Sequence, residues 1–279
     1  SIRPPTWLSL SGAVMTHIVL DQVAKTFRSE GREVQAVTPI SMEIAKRQIV
    51  TFLGPSGCGK TTLMRMIGGL ETPTKGTITL DGAHLSGPDR RRGMVFQSYS
   101  AFPWLTVEGN IRMGLKYRPS LSEAERTDIT QDLIETVGLK GFEQSYTNRV
   151  SGGMRQRVAI ARTLAADPDV LLMDEPFGAL DALTREHLQT KLMELNQTAF
   201  KTTIFVTHDV EEAILIANRL IIFSARPARV LEDMDIDAAL GTQRAQELRD
   251  APAFLELRRH VQRVIRTEYA RSEREAAHA

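Results

Sequence analysis

The apolar pattern of the chain predicts an α/β fold: a parallel sheet interleaved with helices, a helical insert, and a small antiparallel sheet ahead of both. Three observations carry this reading. Two apolar runs with strand character, in DVLLMDEP and TTIFVTHD, flank the helical stretch ALTREHLQTKLMELNQ between residues 169 and 209, and such alternation builds parallel sheets through crossover helices. Ile49-Val50-Thr51-Phe52-Leu53 is short, apolar and β-branched, and Leu63, Met64, Met66, Ile67 and Leu70 recur after it at helical spacing, so a buried strand feeds a helix. Upstream, HIVLDQV, EVQAV and SMEIA form short alternating or apolar runs broken by turn-like residues such as SEGRE, a pattern of antiparallel pairing.

Residues 1–15, SIRPPTWLSLSGAVM, lack both periodicity and the continuous apolar core of a secretion signal, so Met15 reads as the natural start. After the first strand-to-helix unit, Pro73 and Gly76 frame a turn, TITL is a strand, Asp81-Gly82 a tight turn, and MVFQ (94–97) another short strand. From about 106 to 165 the pattern is helical: Val107, Ile111 and Leu115 fall four apart, and Ser122 with Glu125 forms a capping box ahead of a second helix. LIIFSARPARVLEDMDI closes the strand-rich part near residue 236, and Phe254, Leu257, Val261 and Val264 then share one face of a C-terminal amphipathic helix. That face serves either the helix's own domain or a partner surface.

Composition narrows the function classes. The 279 residues are 42% hydrophobic and 25% charged with a net charge of +1, enough for a substantial core and without the basic footprint of a nucleic-acid binder. One cysteine, Cys58, leaves no internal disulfide, and no apolar run reaches the ~20 residues of a spanning helix.

Between strand and helix lies GPSGCGKTT, residues 54–62. A helix start leaves about four amides without internal partners and carries partial positive charge, and glycines let the backbone wrap closely around an anion. Gly54, Pro55, Ser56, Gly57, Cys58 and Gly59, followed by Lys60, Thr61 and Thr62, fit G-x-x-x-x-G-K-[ST]. In that motif amides cradle phosphates, the lysine reaches the outer ones and the hydroxyl ligates Mg²⁺. Cleaving a nucleotide also needs carboxylates at a strand end. Val170-Leu171-Leu172-Met173 supplies the buried strand; Asp174 emerges toward Mg²⁺, and Glu175, on the other side of the pleat, takes a proton from water. Ser151, Gly152 and Gly153 open a further helix marked by Val158, Ala161 and Leu164, which reads as a second phosphate-facing terminus, one that serves another chain's nucleotide.

In this order and at these separations, GPSGCGKTT, SGGMRQRVAIAR, LLMDEPFGALDA and VTHD resemble the Walker A, signature, Walker B with D-loop, and H-loop motifs of ATP-binding cassette ATPases, over roughly residues 17–235. The resemblance implies a P-loop NTPase with a RecA-like parallel-sheet core, an N-terminal antiparallel β subdomain and a helical subdomain near 98–165. The cassette would span 16–236 and a helical extension 237–279. ATP and Mg²⁺ are the implied cofactors. Gln97 would be the Q-loop glutamine near Mg²⁺ and the coupling surface, Phe27 the aromatic stacking on adenine, Asp181 the D-loop aspartate, and His208 the switch histidine contacting the γ-phosphate. Phe27 as core and Asp209 as a mere helix cap with Glu212 are the structural alternatives. Met154 stands where many cassettes have Gln; because the glycine amides and serine hydroxyl bind phosphate in the family, activity should survive it.

Family members pair head to tail, each ATP held between one P-loop and the opposite signature, which implies a homodimer. SYSAFPWLTVEGNI and PFGALDALTREHLQ look like the nitrate, sulfonate and taurine importer branch. There the ATPase is peripheral on the cytoplasmic side of the inner membrane, docks on separate permease subunits and serves a solute-binding protein indirectly. Tyr99, Phe102 and Trp104 would lie near the permease's coupling helix, or simply pack. A soluble repair- or translation-type cassette is the competing reading. Against it, only about ninety residues separate Thr61 from Ser151, too few for a long coiled coil, and one cassette is present rather than two. Intact Lys60, Asp174, Glu175 and His208 argue against a catalytically silent binding module.

Overall fold

A computed structural model describes residues 16–29, 32–97, 100–199, 201–243 and 245–277. Met15 and Tyr99, both singled out above, lie outside the described residues. The elements run β1 (Thr16–Ser29), β2 (Arg32–Ala45), β3 (Ile49–Leu53), α1 (Lys60–Ile67), β4 (Lys75–Leu80), β5 (Ala83–His84), β6 (Arg92–Val95), α2 (Val107–Gly114), α3 (Glu123–Thr136) and α4 (Gly152–Ala165). They continue through β7 (Val170–Asp174), α5 (Ala182–Ala199), β8 (Thr202–Thr207), α6 (Val210–Ile216), β9 (Arg219–Phe223), β10 (Val230–Asp235), α7 (Ile236–Leu240) and α8 (Pro252–Ala277).

Two sheets result. The first is antiparallel, ordered β2-β1-β4-β5; the second is ordered β10-β9-β3-β8-β7-β6, its last five strands parallel and β10 antiparallel at the edge. The central strands are buried throughout and rich in apolar residues because they have a core on each side. Val170 and Leu172 of β7, Ile204 and Val206 of β8, and Val50 and Phe52 of β3 face a core shared with the antiparallel sheet and α1. Leu171, Met173 and Phe205 point the opposite way, into a core shared with α2, α3 and α4, as the two-residue period of a strand requires. The helical insert therefore sits on one face of the parallel sheet.

The N-terminal strands are longer than the sequence pattern implies. EVQAV and SMEIA belong to one strand, β2, and the first run extends through Phe27 to the end of β1. Register shifts around Leu20–Val23 and Lys25–Thr26 show why: bulges break the alternation without breaking the ladder. Gly76 likewise belongs to β4 rather than to a turn. Its φ is +78°, and a Cβ there would lie 2.3 Å from the carbonyls of Asp21 and Gln22, opposite the bulge of β1. The Asp81-Gly82 turn forms as expected, both residues at positive φ, and Ser122 and Glu125 complete the capping box.

The apolar face of α8 is turned inward. Phe254, Leu257 and Val261 are buried in a third core with Leu53, Leu220, Ile222 and residues of α6, and Arg258 reaches Glu211 on α6 at 2.6 Å. This answers the question the sequence left open: the face packs on its own chain.

Candidate active site

Parallel strands that share a sheet deliver their carboxyl ends to one edge, where α/β proteins bind ligands. Here that edge receives Gln97 after β6, Asp174 and Glu175 at the end of β7, His208 after β8 and the glycine-rich turn after β3. Residues spread over more than 150 positions thus converge because the strand order places β3, β8, β7 and β6 side by side.

The glycine-rich turn is held from two sides. Gly59 has φ of +121°, and a Cβ on it would approach the Ala36 carbonyl oxygen to 2.6 Å; only glycine meets both conditions. Ala36 is fixed by accepting from the Ala228 amide, while the Thr38 amide and hydroxyl both donate to Ala228 O. Gly57, at φ +71°, has open space where a Cβ would stand. Helix α1 begins with no side-chain cap, so an anion has no competitor among side chains for its first amides. The Cys58 amide donates back to Pro55 O at 3.4 Å, and the Cys58 side chain is buried, a small core residue as well as a loop member.

Lys60 is buried, its Nζ donating to Gly54 O at 2.7 Å and Pro55 O at 2.8 Å. The ammonium is therefore held inside the curl of the loop by carbonyls. Thr61 Oγ1 donates to Asp174 Oδ1 at 2.9 Å. Asp174 is only 3% exposed, and burial pushes its carboxyl above the ordinary range, opposed by the Thr61 hydroxyl and reinforced by the neighbouring Glu175 charge. A hydroxyl beside a desolvated carboxylate is a donor set that fits a hard divalent cation, which would take its remaining oxygens from phosphate and water. Among the described residues no cluster of three or more His, Cys, Asp or Glu side chains could hold a metal alone.

Glu175 departs from the expected geometry. It lies one residue beyond β7 with φ of +45°, its amide bonded to Val206 O, so its direction comes from a left-handed turn rather than from strand pleating. That turn brings its carboxylate to two partners: Gln97 Nε2 donates to Oε2 at 2.9 Å, and His208 Nδ1 stands 3.1 Å from the same atom. Oε1 keeps its acceptor capacity for a water proton.

The remaining candidates lie elsewhere on the surface. Ser151 caps α4, its Oγ accepting from the Met154 amide at 3.2 Å, which leaves its O–H able to donate. A Cβ on Gly153 would stand 3.4 Å from Ala179 O, so the signature-like turn lies against the segment leading to Asp181. Asp181 Oδ1 accepts from the Thr184 amide at 3.0 Å and caps α5, which lowers its pKa. Met154 packs partly into the helical core. Phe27 is 40% exposed on β1 with Lys25 Nζ 5.0 Å from its ring centre, a surface platform rather than a core residue. Phe102 and Trp104 divide: Phe102 packs against both Trp104 (ring centres 5.3 Å apart) and the Arg162 guanidinium, whereas Trp104 is 68% exposed.

Sequence reasoning missed one buried group. Asp209 does cap α6, accepting from the amides of Glu211 and Glu212 at 2.9 and 3.0 Å, but Glu212 does not complete a capping box with it. The Asp209 amide goes to Thr207 Oγ1, and the Glu212 carboxylate turns inward onto Thr207 and Gln189. Spacing alone could not separate the two arrangements.

Comparison with known proteins agrees with this geometry. The family model described as ABC transporter matches residues 37–178. The chain is 43% identical over 244 residues to the aliphatic sulfonates import ATP-binding protein of Bacillus cereus, covering 88% of this chain and 94% of that protein. It is 41% identical over 254 residues to the nitrate import ATP-binding protein of Synechocystis, covering 90% and 95%, and 42% identical over 246 residues to the taurine import ATP-binding protein of Burkholderia thailandensis, covering 87% and 94%. Among solved structures, a dimeric ATP-binding cassette in a post-hydrolysis state, bound to ADP and Pi, superposes with a TM-score of 0.72 at 32% identity, covering 78% of this chain and 98% of that one. A match to half of the chain by the family model, and relatives aligned over nearly their whole length, place the chain in the ABC transporter family.

Proposed function

We propose that this chain is the ATP-binding and ATP-hydrolysing subunit of an importer, coupling hydrolysis at a head-to-tail dimer interface to movement of a small anionic solute of the nitrate, sulfonate or taurine kind through separate permease subunits. One observation carries the reading: glycine-rich turn, Thr61–Asp174 pair and Gln97–Glu175–His208 cluster meet at one sheet edge. The relatives' names support the solute class, and the dimeric cassette supports the pairing. In this reading the cassette occupies 16–236, with a helical subdomain at about 98–165 and an extension at 237–279.

Each residue's task follows from its chemistry. The turn amides from Gly57 to Thr62 bind phosphate oxygens; Lys60 exchanges its loop carbonyls for the outer phosphates; Phe27 stacks on the base. Thr61 and Asp174 would hold Mg²⁺, with Gln97 Oε1 nearby, and the ion would neutralise charge developing on the phosphates. Glu175 accepts a proton from the attacking water, while Gln97 and His208 keep its carboxylate in place and His208 meets the terminal phosphate. In this reading Ser151, Gly152, Gly153 and Asp181 complete the site of a second copy.

Membrane association in this reading is peripheral, on the cytoplasmic side, through the permease; no helix among the described residues is long and apolar enough to cross a membrane. Exposed Trp104, next in the chain to Leu105, which helps line a cleft of about 440 Å³, offers a docking surface in this reading. A solute-binding protein acts on the other side of the permease. The test is ATP turnover by the wild-type chain and by Glu175→Gln: a loss of about 100-fold or more is expected for removal of a general base, and equal turnover would remove the assignment.

A further inference from the structure

The backbone around His208 is tied, through buried side chains, to the segment that follows the cassette. Thr207 Oγ1 accepts the Asp209 amide at 3.0 Å, so the hydroxyl bridges both neighbours of His208, and it donates to Glu212 Oε2. Gln189 Nε2 donates to Glu212 Oε1 at 3.0 Å, and Arg249 Nη2 donates to Gln189 Oε1 at 3.0 Å. Thr207, Gln189 and Glu212 are each at least 95% buried. Arg249, half-buried, belongs to a 3₁₀ turn at Gln246–Asp250, which is also anchored to α5 by Arg249 to Glu186 at 3.4 Å and by Gln246 to the Glu186 carbonyl at 3.2 Å.

The polarity of this chain is set from its outer end. A guanidinium has no acceptor, so Gln189 must turn its oxygen to Arg249 and its amide nitrogen to Glu212, which must therefore accept. Burying a carboxylate in this position is costly, and its pKa is raised by desolvation against the opposing hydrogen bonds of Thr207 and Gln189. A neutral aliphatic residue would fill the space without that cost. We infer that Gln189, Glu212 and Thr207 are positioning residues, and that Arg249 of the C-terminal extension uses them to hold the His208 turn in register with Glu175. The inference rests on the ATPase reading above and adds to it a route by which the extension sets turnover.

The test follows from the polarity. Gln189→Glu alone opposes two carboxylates; Gln189→Glu combined with Glu212→Gln restores one donor and one acceptor at each contact, with Arg249 still facing an oxygen. Turnover at saturating MgATP should fall about tenfold in the single variant and return to within about twofold of wild type in the double one. Nucleotide affinity should stay unchanged in both, since neither residue touches the phosphate turn. Arg249→Ala, on a surface 3₁₀ turn with none of its residues fully buried, should lower kcat about threefold without raising KM, and should add nothing to Gln189→Glu. Wild-type kcat in Arg249→Ala overturns the inference, as does a folded double variant as slow as the single one. If the wild-type chain itself turned over no ATP, the activity reading would fall first, and the role of these residues with it.

Discussion

Asp174→Asn should stabilise the metal-free protein while abolishing its activity. The substitution keeps shape and volume, and the Asn oxygen still accepts the Thr61 hydroxyl that now reaches Asp174 Oδ1 at 2.9 Å. What disappears is a charge that is 97% buried and repelled by Glu175 on the next residue, with the Thr61 hydroxyl and, more weakly, the Arg65 and Lys60 charges compensating it only in part. The expected gain is that of a single stabilising substitution traded against function, about 0.5–2 kcal/mol. For a chain of this size each kcal/mol raises Tm by about 2–4 °C, so an increase of about 1–8 °C is expected. Turnover should fall at least about 100-fold, because the anionic oxygen that would neutralise a divalent cation is gone. Calorimetric melting in chelator at neutral pH, paired with a phosphate-release assay, measures both. An Asn variant that melts below wild type would show that Asp174 is a stabilising structural carboxylate, and retained turnover would remove it from the site.

Three other outcomes are expected. Phe254→Ala on α8 empties a fully buried ring site beside Leu53 and Leu220, so denaturant unfolding should report a loss of about 3–5 kcal/mol; a surface-like cost below about 0.5 kcal/mol would mean that α8 is not docked. His17 is buried, hydrogen-bonded at Nδ1 to Thr202 at 2.7 Å, and its pKa is lowered chiefly by desolvation, with Asp81 opposing. A group depressed in the fold contributes stability above its unfolded value of about 6.5 and loses it as pH falls through the folded value, so His17→Gln should flatten the acid limb of a pH–stability curve below about pH 6.5. Cys58, 1% exposed, should react with thiol reagents only through opening of the loop, and MgATP should slow labelling further; full labelling with undiminished turnover would place the thiol outside the phosphate site.

The sequence carried the site further than it carried the fold's outline. The β3-to-α1 turn and the β7 carboxylates were legible because their chemistry is local: a few consecutive residues specify strand, turn and helix start. The antiparallel sheet was legible in kind but not in extent, because bulges near Gln22 and Thr26 erase the two-residue period on which strand reading depends. Glu175 takes a direction that strand pleating does not foresee, since nothing in DEP announces a left-handed residue. The inward turn of Glu212 was invisible, because its partner Gln189 lies 23 positions away, Gln189's own partner Arg249 lies 60 positions from it, and the three line up only after α5 and α6 have packed. Long-range polar pairing of this kind is written in the tertiary arrangement alone.

Isothermal titration of the folded chain with MgATP probes the glycine-rich turn most directly. Saturable heat with one site per chain, lost in Lys60→Ala at unchanged melting temperature, is the predicted result. A flat titration from well-folded wild-type protein would mean that the amides from Gly57 to Thr62 do not receive a triphosphate, and every role assigned at the sheet edge would fall with them.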